Sequence, residues 1–198
     1  MRHCSGLIAI FAITGCTAAP VVVDNGPQIS RAYAAAGFDG VTLTGPDRVK
    51  IVEGRGFLVT AKGSKLLLDY LEISVISNVL VIERKQQDGV AVNGKVAEVT
   101  VTMPVITRAA VEGSGDMDIN APATGNFTGA VSGSGNMTIS ALRADAASFA
   151  SSGSGKITAM GAATSAKIAA TGSGDVIVRG AATCVIAKTG SGAVSCQQ

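Results

Sequence analysis

One tripeptide that recurs at nearly constant spacing constrains the fold of this chain more than any other feature. Gly-Ser-Gly begins at residues 113, 133, 153, 172 and 190, so successive copies lie 20, 20, 19 and 18 residues apart. A repeat of this length is typical of solenoids, in which no unit can bury its own hydrophobic face and each unit stacks on its neighbours. The sequence therefore predicts a stack of coils with one triplet in each.

Polar and apolar residues alternate in the few positions after each triplet. Alternation with a period of two predicts a short β-strand that buries one face. When the copies are aligned, the apolar positions form columns: Met117, Met137, Ile157, Val176 and Val194, then Ile119, Ile139, Ala159, Val178 and Cys196. Upstream of the triplets two more columns align: Phe149, Ile168 and Ile186, then Ala110, Ala130, Ala150, Ala169 and Ala187. We predict an all-β fold, a right-handed parallel β-helix (solenoid), with its regular coils in residues 109–198.

The triplet glycines are interpreted as structural turn residues at one corner of every coil. A glycine can take a positive φ that residues with a Cβ atom avoid, and a serine between two glycines can bond to nearby backbone. These glycines are Gly113, Gly115, Gly133, Gly135, Gly153, Gly155, Gly172, Gly174, Gly190 and Gly192.

Two ligand-binding interpretations of the triplets are weaker. A phosphate-binding loop needs one glycine-rich turn between a strand and a helix, and no helical segment follows these triplets. Calcium-binding β-rolls repeat glycine and aspartate in units of nine residues. The residues that follow the triplets here are Asp116, Asn136, Lys156, Asp175 and Ala193, and a lysine would repel a cation. We therefore expect neither a metal nor a cofactor.

The chain before the triplets is also rich in strand patterns but is less regular. Alternation appears, for example, in Val41–Leu43, Val49–Ile51 and Val99–Met103, whereas Lys65–Tyr70 contains three consecutive leucines and is a candidate helical turn. We predict that residues 31–108 form an N-terminal β part that caps the solenoid, because an uncapped first coil would expose an unpaired sheet edge.

The first 15 residues have the features of a secretory signal peptide. Leu7–Ile13 is apolar but much shorter than the roughly 18 residues that a membrane-spanning helix needs. Ile13-Thr14-Gly15-Cys16 resembles the bacterial lipobox, in which the chain is cut before the cysteine and the cysteine is acylated. Several acyl chains make a durable membrane anchor. The alternative is an ordinary signal peptide with a chance cysteine.

We predict that Cys16 carries palmitate or a similar acyl group and that residues 16–30 form a flexible tether. This stretch has turn-forming residues and no sustained periodicity. Thr17, rather than Asp, follows the cysteine. By resemblance to lipoprotein sorting in many Gram-negative bacteria, this favours the outer membrane, with the domain facing the periplasm or the cell surface.

Residues 31–198 resemble a known bacterial family, the autotransporter adhesin head GIN domain. The resemblance is carried by Arg31-Ala32-Tyr33, Phe38-Asp39-Gly40-Val41 and Asp47-Arg48-Val49-Lys50-Ile51 at the start, and by the Gly-Ser-Gly repeats at the end. Val79-Leu80-Val81-Ile82 and Val99–Pro104 match its middle. The resemblance implies a β-helix, a cell-envelope location and no catalytic residues.

Cys184 and Cys196 are the cysteines left once Cys4 is removed with the signal and Cys16 is lipidated. An oxidising envelope compartment favours a disulfide between them, and both fall on predicted inward columns of the last coil. Two free thiols are the alternative.

The residue types argue against several functions. The chain has 16 Lys and Arg and 14 Asp and Glu, so it lacks the basic surface of a nucleic-acid binder. Its one histidine, His3, lies in the signal, which removes the common nucleophile pairs and zinc sites. We predict a non-catalytic cell-envelope lipoprotein that binds an envelope protein or a glycan, or has a structural role. The alternative is a polysaccharide lyase or glycosidase that uses Glu112, Asp116 and Asp118, joined by Lys156.

Overall fold

The structure is a computed structural model that describes residues 21–22, 26–85, 91–92 and 95–198. The predicted signal peptide (residues 1–15) and the predicted lipidation site, Cys16, lie outside the described residues. In the part that is described, no helix has the length and apolar character needed to cross a membrane.

The described chain forms sixteen strands and one short helix. Before the first triplet corner these are β1 (Val21–Val22), β2 (Gln28–Tyr33), β3 (Gly40–Thr44), β4 (Arg48–Glu53), β5 (Leu58–Ser64), α1 (Lys65–Tyr70), β6 (Leu71–Ile76), β7 (Val79–Arg84), β8 (Ala91–Val92), β9 (Glu98–Met103) and β10 (Ile106–Gly113). After it come β11 (Asp116–Asn120), β12 (Ala123–Gly133), β13 (Asn136–Gly153), β14 (Ile157–Gly172), β15 (Val176–Thr189) and β16 (Val194–Gln197). β2 begins inside the segment that the sequence analysis assigned to the tether, so the last residues of that segment belong to the sheet.

The strands stack as parallel coils into a β-solenoid of about five turns, which confirms the predicted fold class. Wall 1 runs through β9, β4, β11, the starts of β13, β14 and β15, and β16. Wall 2 runs through β7, β3, β10 and the ends of β12, β13, β14 and β15. Wall 3 consists of the start of β12 and the middles of β13, β14 and β15.

The strand register confirms the predicted columns. On wall 1, Met117 pairs with Met137, Met137 with Ile157, Ile157 with Val176 and Val176 with Val194, and the next column pairs in the same way from Ile119 to Cys196. On wall 2, Phe149 pairs with Ile168 and Ile168 with Ile186. Nearly all inward side chains of these columns are buried, and together they form one continuous core.

The order of the coils departs from the order of the chain at the N-terminal end. The coil made of β3 and β4 lies between the coil of β7 and β9 and the coil of β10 and β11. The chain therefore leaves the stack after β4, forms β5, α1 and β6, and re-enters it one layer lower. Periodicity could not show this exchange, because the coils before Gly113 lack the triplet.

Antiparallel strands close the N-terminal end of the stack. β5 pairs with β9 and β2 with β5, which extends wall 1, and β6 pairs with β7, which extends wall 2. The helix α1 joins β5 to β6 and buries Leu67 and Leu68. Its N-cap is Ser64, whose Oγ accepts a hydrogen bond of 3.2 Å from the Leu67 N–H. We call β2, β5, α1 and β6 the N-terminal cap.

Arg31 on the edge strand β2 holds the helix in place. Its guanidinium donates hydrogen bonds to the Leu68 carbonyl at 2.7 Å and to the Asp69 carboxylate at 2.6 Å. Hydrogen bonds from Lys65 and from Arg31 lower the pKa of Asp69 below its ordinary value. Charge-assisted hydrogen bonds thus connect β2 to the helix α1 within the cap.

The first glycine of every triplet adopts a conformation that other residues avoid. The φ angles lie between 107° and 124° at Gly113, Gly133, Gly153, Gly172 and Gly190. The carbonyl oxygens of the first four accept hydrogen bonds from backbone N–H groups of the next corner. Gly113 O, for example, accepts from the N–H groups of Ser134 and Gly135, both at 2.9 Å, and the pattern repeats one coil higher.

The third glycine of each triplet is required for a different reason. A Cβ atom at Gly135 would overlap the carbonyl oxygen of Gly115 one coil below and lie 2.7 Å from Cγ1 of Val111. Gly155, Gly174 and Gly192 face the third glycine of the preceding corner in the same way. Stacked coils lie only about 4.8 Å apart, so the corner has no room for a side chain.

Gly135→Ala should therefore destabilise the protein by about 2–3 kcal/mol, because the added methyl group forces two corners apart. Gly56→Ala is the matched control, since no atom lies within 4 Å of a Cβ built there. It should change the free energy of unfolding by less than about 0.5 kcal/mol. Urea unfolding followed by circular dichroism measures both values, and equal stability of the two variants would contradict the steric account of the corner.

Candidate functional site

The column next to the triplets forms a ladder of side-chain to backbone bonds. Asn136 donates to Asp116 Oδ1 through Nδ2 at 2.8 Å and through its backbone N–H at 3.3 Å. Asn136 Oδ1 in turn accepts from the Lys156 N–H at 3.3 Å, and Asp175 Oδ1 accepts from the Ala193 N–H at 2.9 Å. These oxygens satisfy the backbone of the next coil, which accounts for the acidic and amide residues without a bound cation.

The structure places only two of the four candidate catalytic residues on the same face of one strand. Asp116 and Asp118 lie on β11 and project outward from wall 1, whereas Glu112 lies on β10, on the other side of the corner. Asp116 is engaged by Asn136, and Lys156 stands one coil beyond Asn136. Among the residues that the structure describes, no three His, Cys, Asp or Glu side chains cluster as metal ligands would.

A depression beside Asp118 contains none of the other three candidate residues. Its volume is about 160 Å³, and it is lined by Arg48, Lys50, Glu98, Val99, Thr100 and Asp118. Arg48 lies 4.0 Å from both Glu98 and Asp116. The depression is therefore lined by surface charges of alternating sign on wall 1, and ion pairs between exposed charges stabilise a fold only weakly.

Wall 2 carries a shallow groove that the sequence analysis did not identify as a site. Its floor is the alanine column, in which Ala130, Ala150 and Ala169 pair in register on successive coils. Hydroxyl groups border this floor on one side, from Ser132, Ser152 and Thr171. The groove has a volume of about 190 Å³ and is lined by Ala130, Val131, Ser132, Ala150, Ser151, Ser152, Ala169 and Thr171.

The other border of the groove is also polar. Thr128, Ser148 and Lys167 pair in register along it, and all three side chains are exposed. The alanine column was visible when the repeats were aligned, but it was grouped with the apolar columns that pack in the core and not recognised as the floor of a groove. An outward alanine adds no bulk, so the column leaves the backbone of wall 2 accessible between two polar borders.

Asp47 is a second residue whose role the sequence did not reveal. Its carboxylate is fully buried, accepts a hydrogen bond of 2.6 Å from the Ala97 N–H, and forms a salt bridge with the Arg84 guanidinium. Arg84 also donates to the Lys95 carbonyl at 3.0 Å. The buried charge is therefore paired and hydrogen-bonded on several sides, which burial of a carboxylate requires.

Asp47 occupies the place of a third corner glycine. Gly45 has a φ of 125°, and its carbonyl oxygen accepts from the Gly115 N–H at 2.8 Å, so Gly45-Pro46-Asp47 is the corner below the first triplet. In the layer beneath it, β7 and β9 are separated in sequence by residues 85–97, a far longer connection than a triplet. A side chain therefore fits here, and it bonds to both ends of that connection.

Cys184 and Cys196 form the predicted disulfide, with their Cα atoms 6.5 Å apart. Cys184 continues the inward column of Ala147 and Ala166 on wall 3, and Cys196 ends an inward column of wall 1. The bond therefore spans the cross-section of the last coil. Cys184 is nevertheless exposed, because no further coil of the described chain lies over it. Closing a loop of this length adds about 3 kcal/mol.

Residues 37–197 match the family model described as "Putative auto-transporter adhesin, head GIN domain". The chain belongs to this family. The match begins just before β3, so it covers every coil of the solenoid, the five triplet corners and all of the N-terminal cap except β2. Membership points to a protein of the cell envelope or surface and confirms the resemblance seen in the sequence.

Several solved structures have a similar fold. One is described as a putative adhesin from Parabacteroides distasonis ATCC 8503, with a TM-score of 0.62 and 20% identity over 90% of this chain and 100% of that one. Another is a putative adhesin from Bacteroides fragilis NCTC 9343, with a TM-score of 0.59 and 18% identity over 89% and 100%. A third, a putative lipid binding protein from Parabacteroides distasonis ATCC 8503, has a TM-score of 0.52 and 16% identity over 90% and 100%. No curated protein matches the chain.

Asp47→Ala should destabilise the protein by about 3–5 kcal/mol, because it leaves the Arg84 guanidinium largely buried without its partner. Glu72→Ala is the matched control. It removes a surface pair in which Lys85 lies 3.2 Å from Glu72, and it should cost no more than about 1 kcal/mol. Thermal and urea unfolding of the two variants tests this, and a loss at Asp47 no larger than that at Glu72 would show that the buried pair is dispensable.

Proposed function

We propose that the chain is a non-catalytic, lipid-anchored protein of the cell envelope that binds an extended segment of a protein or a glycan along wall 2. The observation that carries this proposal is the groove over the alanine column, with hydroxyl groups in register on one border and two hydroxyl groups and a lysine on the other. An adhesion role is in keeping with the family to which the chain belongs.

The groove suits an extended ligand because its chemistry repeats with the coils. Equivalent atoms recur about every 4.8 Å along the stack, so a polymer lying in the groove meets the same alanine floor and hydroxyl border at each step. Small floor residues allow a peptide backbone or a sugar ring to approach closely. Hydroxyl groups both donate and accept hydrogen bonds, so they serve a polar ligand of either kind.

The side chains of the coils support binding rather than catalysis. Glu112 lies on a different wall from Asp116 and Asp118, and the Asp116 carboxylate accepts the hydrogen bonds of the ladder from Asn136. Glycosidases of the common type hold two carboxyl groups on either side of one bond, within about 5–10 Å. Both aromatic side chains of the regular coils, Phe127 and Phe149, point into the core and are buried.

The lipid anchor is supported by the sequence around Cys16. Cells that express the full chain and take up labelled palmitate should incorporate the label into the wild-type protein. Cys16→Ala should lose the label and move from the membrane fraction to the soluble envelope fraction, because removing the acyl chains removes the anchor. Cys4→Ala is the control, since Cys4 lies in the segment that is cut away. Unchanged labelling of Cys16→Ala would refute the anchor.

A large side chain introduced into the groove should block ligand binding, and this tests the proposed binding site. Ala150→Arg places a long cation in the middle of the floor, whereas Met160→Arg places the same side chain on wall 1. The purified protein is screened against arrays of bacterial envelope polysaccharides and outer-membrane proteins. Ala150→Arg should weaken binding to a captured ligand at least tenfold, about 1.4 kcal/mol, while Met160→Arg binds as the wild type does.

The same panel distinguishes the enzyme alternative. Each polysaccharide is incubated with the wild-type protein, and the products are analysed for new reducing ends and for unsaturated sugars. The binding proposal expects no turnover. Turnover that Asp116→Asn abolishes would establish a carbohydrate-active enzyme instead, and equal loss of binding in both arginine variants would place the ligand outside the groove.

A further inference from the structure

Exposed large apolar side chains are concentrated at the N-terminal end of the solenoid. Among the described residues, the middle of the stack exposes only Met160, and the last coil exposes Val185 and Ile186. The other exposed ones belong to the N-terminal cap or the connection that enters β9, namely Ile29, Phe57, Leu58, Val75, Ile76 and Val96. Patches of this kind mark interaction sites when they are contiguous.

The two segments that carry four of these side chains meet at one corner of the capped end. Phe57 packs against Phe38, with ring centroids 4.8 Å apart, and Leu58 follows it on β5. The N–H of Asp39 donates to the Asn78 carbonyl at 3.0 Å, which brings the end of β6 to the same place. We call Phe57, Leu58, Val75 and Ile76 the apolar patch, which includes residues from β5, next to wall 1, and from β6, next to wall 2.

The turn between β6 and β7 presents the second half of the patch. Ser77 and Asn78 have φ angles of 49° and 64°, as in the two-residue hairpin turns that match the twist of a β-ribbon. Ile76, directly before this turn, is 59% exposed, and Leu58 is 55% exposed. Arg55, three residues before Leu58, is also exposed. Apolar side chains next to a cation suit the boundary between lipid headgroups and acyl chains.

The path of the chain brings the anchor to the same end. β1 pairs with β8, and β8 belongs to the connection between β7 and β9, which form the first coil. Cys16 precedes β1 by five residues (21 − 16 = 5). Five residues span at most about 18 Å when fully extended. An acyl group on Cys16 would therefore hold the capped end near the bilayer, with the last coil on the far side of the stack.

We infer that the N-terminal cap docks on the surface of a phospholipid bilayer through Phe57, Leu58, Val75 and Ile76. The solenoid then stands away from the membrane and presents its walls to the surroundings. This inference rests on the lipid anchor proposed above. It adds an oriented contact between protein and lipid to a tether that by itself would leave the domain free to rotate.

Bromolipid quenching of single tryptophans tests this orientation, because the chain contains no Trp of its own. The full lipidated protein is reconstituted into vesicles of phosphatidylethanolamine and phosphatidylglycerol with brominated acyl chains. Leu58→Trp and Ile76→Trp, which lie on different strands, should each lose about half of their emission, as expected for side chains at the headgroup–acyl boundary. Ser148→Trp on wall 2 is the control and should keep its emission. Unchanged thermal unfolding establishes that each variant is folded.

The other outcomes overturn the inference in distinguishable ways. Retention on the vesicles without quenching at positions 58 and 76 would leave the anchor intact and refute the docked orientation. Equal quenching at position 148 would mean that the domain lies on its side. Blue-shifted emission that depends on protein concentration in the absence of vesicles would mean that a second copy covers the patch. If the protein did not remain on the vesicles, the proposed lipid anchor itself would be refuted.

Discussion

The close approach of one corner to the next is the constraint on which the rest of this structure depends. The third glycine of each triplet faces the carbonyl of the corner below, and the first glycine supplies both the positive φ and the oxygen that the next corner binds. Because neither position tolerates a side chain, the layers keep the separation of paired β-strands. Beside the corners the register is therefore kept from coil to coil, and the inward residues of walls 1 and 2 stack into continuous columns. Away from the corners, register shifts such as the one between Ile139 and Leu142 absorb the different lengths of the coils.

The N-terminal end shows what happens where this constraint is relaxed. Among the described residues, no tight corner lies below Gly45-Pro46-Asp47, and an aspartate stands in the place of the third glycine. Its carboxylate takes over the task of joining layers by binding Arg84 and the Ala97 N–H. The buried Asp47–Arg84 ion pair thus takes the place of stacked corners between the coil of β3 and β4 and the coil of β7 and β9, which comes later in the chain but lies below it. The antiparallel cap then covers the exposed edge, as proteins commonly do with sheet edges.

The repeat made much of this fold predictable. The nearly constant spacing of the triplets set the register, so the apolar columns could be derived from the sequence. The helical turn at Lys65–Tyr70 was predicted from three consecutive leucines, and the disulfide from the placement of both cysteines on inward columns. The exchange of coils could not be predicted, because it involves pairing between strands with no repeated marker. The role of Asp47 could not be predicted for the same reason. Without the triplet, Gly45-Pro46 indicates only an interruption between two strands and not a corner of the solenoid. The groove was missed because an outward alanine column and an inward one look alike in a sequence.

The exchanged coil also has a consequence for how the chain reaches its native state. A polypeptide that emerges from its N-terminus delivers β3 and β4 well before β7 and β9, which lie beneath them. β3 therefore lacks a parallel partner until β7 is complete at residue 84, and β4 lacks one until β9 is complete at residue 103. Every later coil, by contrast, can add to a finished template as soon as it emerges. Assembly should begin slowly, with the non-local contacts that limit folding rates, and then proceed as rapid one-dimensional growth toward the C-terminus.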